Sequence, residues 1–319
     1  MGKKNTVYKL AAIIFCVIIL SSLEHYHNKK TIEGNENSNI KAKDGTIFQP
    51  FKKVQGNNLH KAVFEPIASG SIIDVPWEND KEFKRAREMC GTPGMMAAFC
   101  TVLHDPLPGE EYNVHLAARM LCGISVKPGE TFSQNNSIGP YTEERGFRKG
   151  PTYMGSQLTT TIGGGVCKIA STLYNVMILS NLQVVERHAH SMPVPYVPYG
   201  QDATVAYGAR DFKFRNNTDF PVMIWAQGVD NILYMAFYGG SKPPQIEWHH
   251  EILSEKKAPI VYKKNSMLPP GTEKVVVEGM DGAVVRSWLV IEDPEQTFII
   301  KNLGNSNYSP MSFLIEKGN

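Results

Sequence analysis

The segment that most constrains this chain is "TTTIGGGVCKIASTLYNVMILSNL", residues 159–182, where three glycines run into a cysteine and the cysteine runs into a helical pattern. Val166, Ile169, Ala170, Leu173, Val176 and Met177 recur at i, i+3, i+4, i+7, i+10 and i+11, the spacing of one buried helix face. Lys168, Ser171, Thr172 and Asn175 define a polar face, and Cys167 falls on the boundary between the two. A thiol in the first helical turn meets unpaired N–H groups and the positive end of the helix dipole, both of which favour the thiolate. Gly163, Gly164 and Gly165 let the backbone approach closely and offer N–H groups to a carbonyl or an oxyanion. Glycine runs also occur at ordinary turns, so the residues beyond the helix must carry the argument.

Those residues include "VVERHAH" at 184–190. Read as a strand, it puts Val184, Glu186, His188 and His190 on one face, with the two imidazoles about 7 Å apart, so that only one meets the thiol. Three prolines then interrupt pairing, and "DATVAY" follows as a second short strand opening on Asp202. Cysteine at a helix start, then histidine, then an acid is the order used by papain-like and transglutaminase-like thiol enzymes, in which the imidazole takes the thiol proton and the acid orients it. The expected constellation is Cys167 as nucleophile, His190 or His188 as base and Asp202 as orienting acid, with Asp211 as the alternative acid. The expected fold class is α+β: a cysteine-bearing helix packed on an antiparallel sheet formed by the half of the chain after residue 183.

The flanks say where such a domain would work. Lys3, Lys4 and Lys9 precede the apolar run "LAAIIFCVIILSSL" at 10–23, an export signal that reads better as an uncleaved anchor, with the remainder outside. Residues 24–78 are rich in Asn, Lys and Glu, a spacer composition. Net charge is +2 from 33 basic and 31 acidic residues spread along the chain, which argues against nucleic acid as a partner. Among the cysteines, Cys90 and Cys100 bracket a short loop that a disulfide could close, and Cys122 follows the helical stripe Val114, Ala117, Ala118 and Leu121. No metal-ligand spacing is present, and no metal or cofactor is expected.

The motifs "KPGETFS" (127–133), "IGPYTEERGF" (138–147), "GGGVC" (163–167), "STLYN" (171–175), "ERHAHSMPVPYVPYGQDATV" (186–205) and "DFKFRNNTDFPVMI" (211–224) follow one another between Gly123 and Gln227, and in them the chain closely resembles the VanW family. The family is named after an accessory protein of glycopeptide-resistance clusters, and some members are cysteine-dependent L,D-transpeptidases that cross-link peptidoglycan stem peptides through a thioester. By that resemblance Cys167 is the nucleophile position. One residue departs from the pattern: the family usually has Gln after the cysteine, where this chain has Lys168. Gly163, Gly164, Gly165, Lys168, Arg145 and Tyr141 are the expected substrate contacts, Arg145 because a guanidinium pairs with the free carboxylates of stem peptides.

After the connector "GGSKPPQ", short β-branched runs alternate with turn signals such as "PPG" and "MDG". This stretch resembles G5-type modules of cell-wall proteins. The expected division is therefore an anchor at 1–23, a spacer at 24–78, a VanW domain at 79–250 and a small β module at 254–319 that packs separately and grips the wall. Three functions compete: a thiol acyltransferase on peptidoglycan peptides, a non-catalytic wall-binding protein on the same fold, and a thiol amidase or peptidase using water as acceptor.

Overall fold

In a computed structural model of the chain, the structure describes residues 68–318 apart from 105, 108, 155–156 and 293–297. The apolar run at 10–23 and most of the expected spacer lie outside the described residues. Strand β1 (Gly70–Ser71) and helix α1 (Lys81–Cys90) lead into β2 (Gly94–Val102) and α2 (Glu110–Leu121). Short β3 (Ile124–Val126), β4 (Thr131–Ser133) and α3 (Gln134–Ile138) precede a hairpin of β5 (Lys149–Met154) and β6 (Gln157–Ile162). Helix α4 (Cys167–Leu179) follows, then β7 (Gln183–Glu186), β8 (Lys213–Arg215), β9 (Val222–Val229) and β10 (Ile232–Gly239). The last part is all strand: β11 (Gln245–Lys256), β12 (Ile260–Lys264), β13 (Glu273–Val277), β14 (Gly282–Glu292), β15 (Phe298–Tyr308) and β16 (Phe313–Lys317).

A five-stranded antiparallel sheet in the order β1-β2-β10-β9-β3 forms the backing of the molecule. Its two faces are both covered, and so β10 reads as an unbroken apolar run, "ILYMAFYG", buried at every position. On one face α4 packs against β2 and β10, and α2 lies beside it against β9. On the other face Trp77, Phe83, Trp225 and Tyr238 cluster, with Trp77 Nε1 donating to Tyr238 Oη at 2.9 Å. Trp77 falls within the stretch whose composition reads as spacer, yet it is 1% exposed, so the fold begins before residue 79. The sheet behind α4 also differs from the expectation. It is not built from the half after residue 183 alone, because β2, which precedes the helix, lies between β1 and β10.

Helix α4 is buried from Ile169 to Ile178, polar residues included. Ser171, Thr172 and Asn175 therefore do not face water as the helical pattern suggests. Each is satisfied instead: Ser171 Oγ donates to the Ala203 carbonyl at 3.1 Å, Thr172 Oγ1 donates to the Lys168 carbonyl at 2.7 Å, and Asn175 Nδ2 donates to the Gln201 carbonyl at 2.8 Å. Two of the three bind the segment that carries Asp202. The polar stripe of the helix is thus the surface on which that loop is moulded.

Cys90, Cys100, Cys122 and Cys167 are all free thiols, so the Cys90–Cys100 bridge does not form. Cys100 lies fully buried on β2, and burial pushes its thiol up to about 11. Cys122 packs beside the Trp225 cluster with Sγ 2.9 Å from the Ala226 carbonyl. Among the described residues no helix is long and apolar enough to cross a membrane.

The terminal strands make two further three-stranded sheets, β11-β14-β15 and β12-β16-β13, with β12 and β16 parallel. Leu289 and Ile291 of β14 belong to the same buried cluster as Leu173 and Phe212. The strand β11 begins at Gln245, ahead of the boundary expected at 254.

Candidate active site

The glycine triplet is held by three neighbours before it reaches the thiol. Asn113 of α2, fully buried, donates from Nδ2 to the carbonyls of Gly164 (2.9 Å) and Arg148 (2.8 Å) and accepts from Arg148 N at 2.8 Å. A Cβ at Gly164 would lie 2.1 Å from the Gly150 carbonyl oxygen on β5, so only glycine lets the hairpin cross there. Gly163 and Gly165 have φ of 78° and 105°, which places the backbone in the left-handed region on both sides of that crossing. The amides of Gly163 and Gly164 are spent on the carbonyls of Arg148 and Thr161. They do not offer the N–H groups that the triplet leads one to expect. The amides of Gly165 and Cys167 make no hydrogen bond to another described residue.

Cys167 is the first residue of α4, half-buried, with Sγ 3.3 Å from Thr204 Oγ1 and 3.6 Å from the Val205 carbonyl. Of the two candidate histidines, His190 is the one whose charge acts on this thiol. Burial alone would raise the thiol, but the His190 hydrogen bond and charge, with smaller contributions from Thr204 and Val205, outweigh it and lower Cys167 to about 7. For His190, burial would lower the ring; the hydrogen bonds to Asp202 and Cys167 and their charges raise it to about 9. His190 Nδ1 lies 2.7 Å from Asp202 Oδ2, which also accepts the His190 amide at 2.7 Å. With Nδ1 engaged by the carboxylate, Nε2 is the nitrogen left for sulfur.

Asp202 is 1% exposed and its acidity is increased: burial opposes ionisation, and His190 and Arg187 overcome it. Arg187 grips this acid through Nη2 to Oδ1 at 3.0 Å and Nε to the Asp202 carbonyl at 2.8 Å, while its guanidinium lies over the Tyr174 ring. It is therefore committed inside the protein and is not a group for binding substrate carboxylates.

The two histidines separate cleanly. The strand β7 stops at Glu186, so the alternation that would aim both rings the same way is absent at residues 187–190. His188 turns to Glu186, with Nε2 3.0 Å from Oε1 and a side chain 41% exposed. Nor does "DATVAY" form a strand; Ala206 makes an isolated bridge to Arg210, and Asp202 is set by hydrogen bonds in a loop. Asp211 serves elsewhere. Its carboxylate accepts from Ser133 Oγ at 2.5 Å and Asn135 N at 2.9 Å, fixing the start of α3.

The remaining expected contacts are placed as follows. Lys168 forms an ion pair with Glu110 and sits 4.7 Å from the centroid of Tyr196, a ring that in turn meets His190 edge to face. Tyr141 packs over Gly163 and hydrogen-bonds Gln134 and Asn135; burial, with the nearby Cys167 charge, pushes its phenol up. Arg145 ends an exposed 3-10 turn and donates to the Ile138 carbonyl at 3.4 Å. Thr204, two residues after Asp202, is a further contact of the thiol that no sequence motif marks. Its amide donates to the His188 carbonyl at 2.9 Å, which joins the acid loop to the histidine loop.

Beside His190 opens a cleft of about 710 Å³ between residues 184–191 and strand β15. Arg187, His188, Arg210, Lys301 and Asn305 help to line it, and none of its lining residues is acidic.

A family model described as VanW like protein matches residues 109–238. The "Uncharacterized protein YoaR" of Bacillus subtilis (strain 168) is 34% identical over 143 residues, 45% of this chain and 47% of that protein. The "Vancomycin B-type resistance protein VanW" of Enterococcus faecalis (strain ATCC 700802 / V583) is 32% identical over 137 residues, 41% of this chain and 50% of that protein. The chain thus spans about half the length of these curated relatives. Two solved structures also align: an IgA1 protease G5 domain (21% identity, TM-score 0.16, 24% of this chain and 92% of that one) and HP0197-G5 (13%, TM-score 0.14, 23% and 99%). Scores of that size assign no fold. The family match spans α4 and the loops that carry Cys167, His190 and Asp202, so that it is over residues 109–238 that this chain is similar to the VanW family.

Proposed function

We propose that this chain is a cysteine acyltransferase of L,D-transpeptidase type, acting on peptidoglycan stem peptides outside the membrane to which residues 10–23 anchor it. The observation that supports it most is the 2.7 Å hydrogen bond from His190 Nδ1 to the buried Asp202, with an imidazole raised to about 9 whose charge helps to lower the Cys167 thiol to about 7. Those directions suit a thiolate–imidazolium pair of the kind papain-like chemistry uses.

In the proposed reaction the thiolate attacks a peptide carbonyl, and the developing oxyanion meets the N–H groups of Cys167 and Gly165. The C–N bond breaks as His190 Nε2–H gives its proton to the departing amine, leaving a thioester and a neutral imidazole. An amine from a second stem attacks that thioester, its proton passing to Nε2, and the thiolate leaves; with water in its place the outcome is hydrolysis. The cleft lies beside His190, with Cys167 outside its lining, and its Arg210 and Lys301 suit a peptide bearing carboxylates. Lys168 does not obstruct this chemistry, since its ammonium is drawn away to Glu110. The terminal β strands fit the role of a wall-binding module that shares one compact body with the catalytic half.

The test is product analysis by mass after incubating the purified chain with disaccharide tetrapeptide. The reading expects a cross-linked dimer lighter by one terminal amino acid than two substrates. Tripeptide alone would make the protein an amidase, and unchanged tetrapeptide would contradict acyl transfer on this substrate.

A further inference from the structure

Asp202 is held from two directions, and one of them is the far end of the chain. Oδ2 accepts two hydrogen bonds from His190. Oδ1 accepts from Arg187 and from Tyr308 Oη, the last at 2.5 Å. A carboxylate only accepts, so the single hydroxyl hydrogen of Tyr308 goes to Asp202, and the phenol oxygen is left to accept from Gly200 N at 2.8 Å. Both partners are buried, Tyr308 at 5% and Asp202 at 1% exposure.

Tyr308 is the last residue of β15, and its neighbours hold the same machinery. Ser306 Oγ accepts from Arg187 Nη1 at 2.7 Å, fixing the guanidinium that grips Asp202. Ser309 N donates to the Ser191 carbonyl at 2.7 Å, one residue past His190. His250 of β11 reaches Gln201 at 3.1 Å, one residue before Asp202, and Tyr199 donates to the Asp281 carbonyl at 2.6 Å. Every loop that carries a base or an acid of the site is thus hydrogen-bonded to the terminal strands. A wall-binding appendage would need none of these contacts.

We propose that Tyr308 is a positioning residue of the Cys167 site, and that the C-terminal strands complete that site. The proposal rests on the thiol reading above: by filling the outer oxygen of Asp202, Tyr308 fixes the carboxylate plane that orients the His190 ring toward sulfur. A loss of the hydroxyl therefore loosens the acid and weakens the ring's hold on the thiolate, though no substrate contact is touched.

The test is the pH profile of Cys167 alkylation by iodoacetamide, read peptide by peptide in the full chain, for wild type, Tyr308→Phe, Ser306→Ala and, at an exposed histidine outside the cleft, His104→Ala. Tyr308→Phe keeps the ring that packs against Tyr199 at 5.3 Å and removes only the hydroxyl. Its midpoint is expected to rise by about one pH unit, a tenfold loss of thiolate below the midpoint. Ser306→Ala moves the same way by less, and stands in if the first variant fails to fold; His104→Ala matches wild type. A Tyr308→Phe profile that superimposes on wild type overturns the positioning role and leaves the thiol reading intact. A wild-type midpoint near that of an ordinary thiol overturns both.

Discussion

With Cys167 lowered to about 7 and His190 raised to about 9, the two groups share a proton so that sulfur is anionic and the ring cationic between those values. Acylation needs both charges, because sulfur attacks and the ring donates. The rate with a peptide substrate should therefore be bell-shaped, rising as pH passes about 7 and falling beyond about 9. Removing the base has a sharper consequence: His190→Ala should cost roughly 10²–10⁴-fold in kcat/KM and return Cys167 toward ordinary thiol titration, while His104→Ala, at an exposed residue outside the cleft, leaves kcat/KM nearly unchanged. Steady-state kinetics on the two variants checks this. At this scale chain order names Cys167, Asp202 and a pair of histidines as candidates. The choice between His188 and His190 is not legible there, because it depends on β7 ending at Glu186, which the pattern "VVERHAH" does not announce. Thr204 and Tyr308 are invisible for another reason. Each is an ordinary polar residue whose meaning comes from contacts 37 and 106 residues away.

The elements that build the site depend on two features, one apolar and one defined by missing atoms. The apolar face of α4 was readable from its spacing and is buried as that spacing requires. Its polar stripe was misleading, since sequence period distinguishes polar from apolar but not water from a buried carbonyl. At the glycine triplet the constraint is steric. Gly164→Ala would drive a methyl group into the Gly150 and Pro151 carbonyls, at 2.1 and 2.7 Å, and the backbone on both sides is fixed by Asn113. This substitution should cost about 1–3 kcal/mol by overpacking and shift the start of α4, lowering both the thermal midpoint and Cys167 reactivity. Urea unfolding together with alkylation rate would measure the two effects.

For the whole molecule, the sequence suggests a catalytic unit and a detachable tail, since turn-rich β segments after "GGSKPPQ" look autonomous. The structure joins them through groups that composition cannot reveal: Leu289 and Ile291 in the common core, and Tyr308 on Asp202. Deleting residues 254–319 should therefore do more than weaken attachment to wall material. It exposes core side chains whose loss exceeds a single large-to-small substitution, about 2–5 kcal/mol, so the thermal unfolding transition should drop sharply or vanish. A truncated chain that melts like the full protein and keeps its Cys167 reactivity would show the tail to be dispensable. The central claim is met most directly by the intact mass of the protein quenched in acid during incubation with disaccharide tetrapeptide. The account predicts a species heavier by the substrate minus its terminal amino acid, mapped to Cys167, labile to hydroxylamine and absent from Cys167→Ala. A wild-type mass that never moves while substrate is consumed, or an adduct that persists in Cys167→Ala, would contradict it.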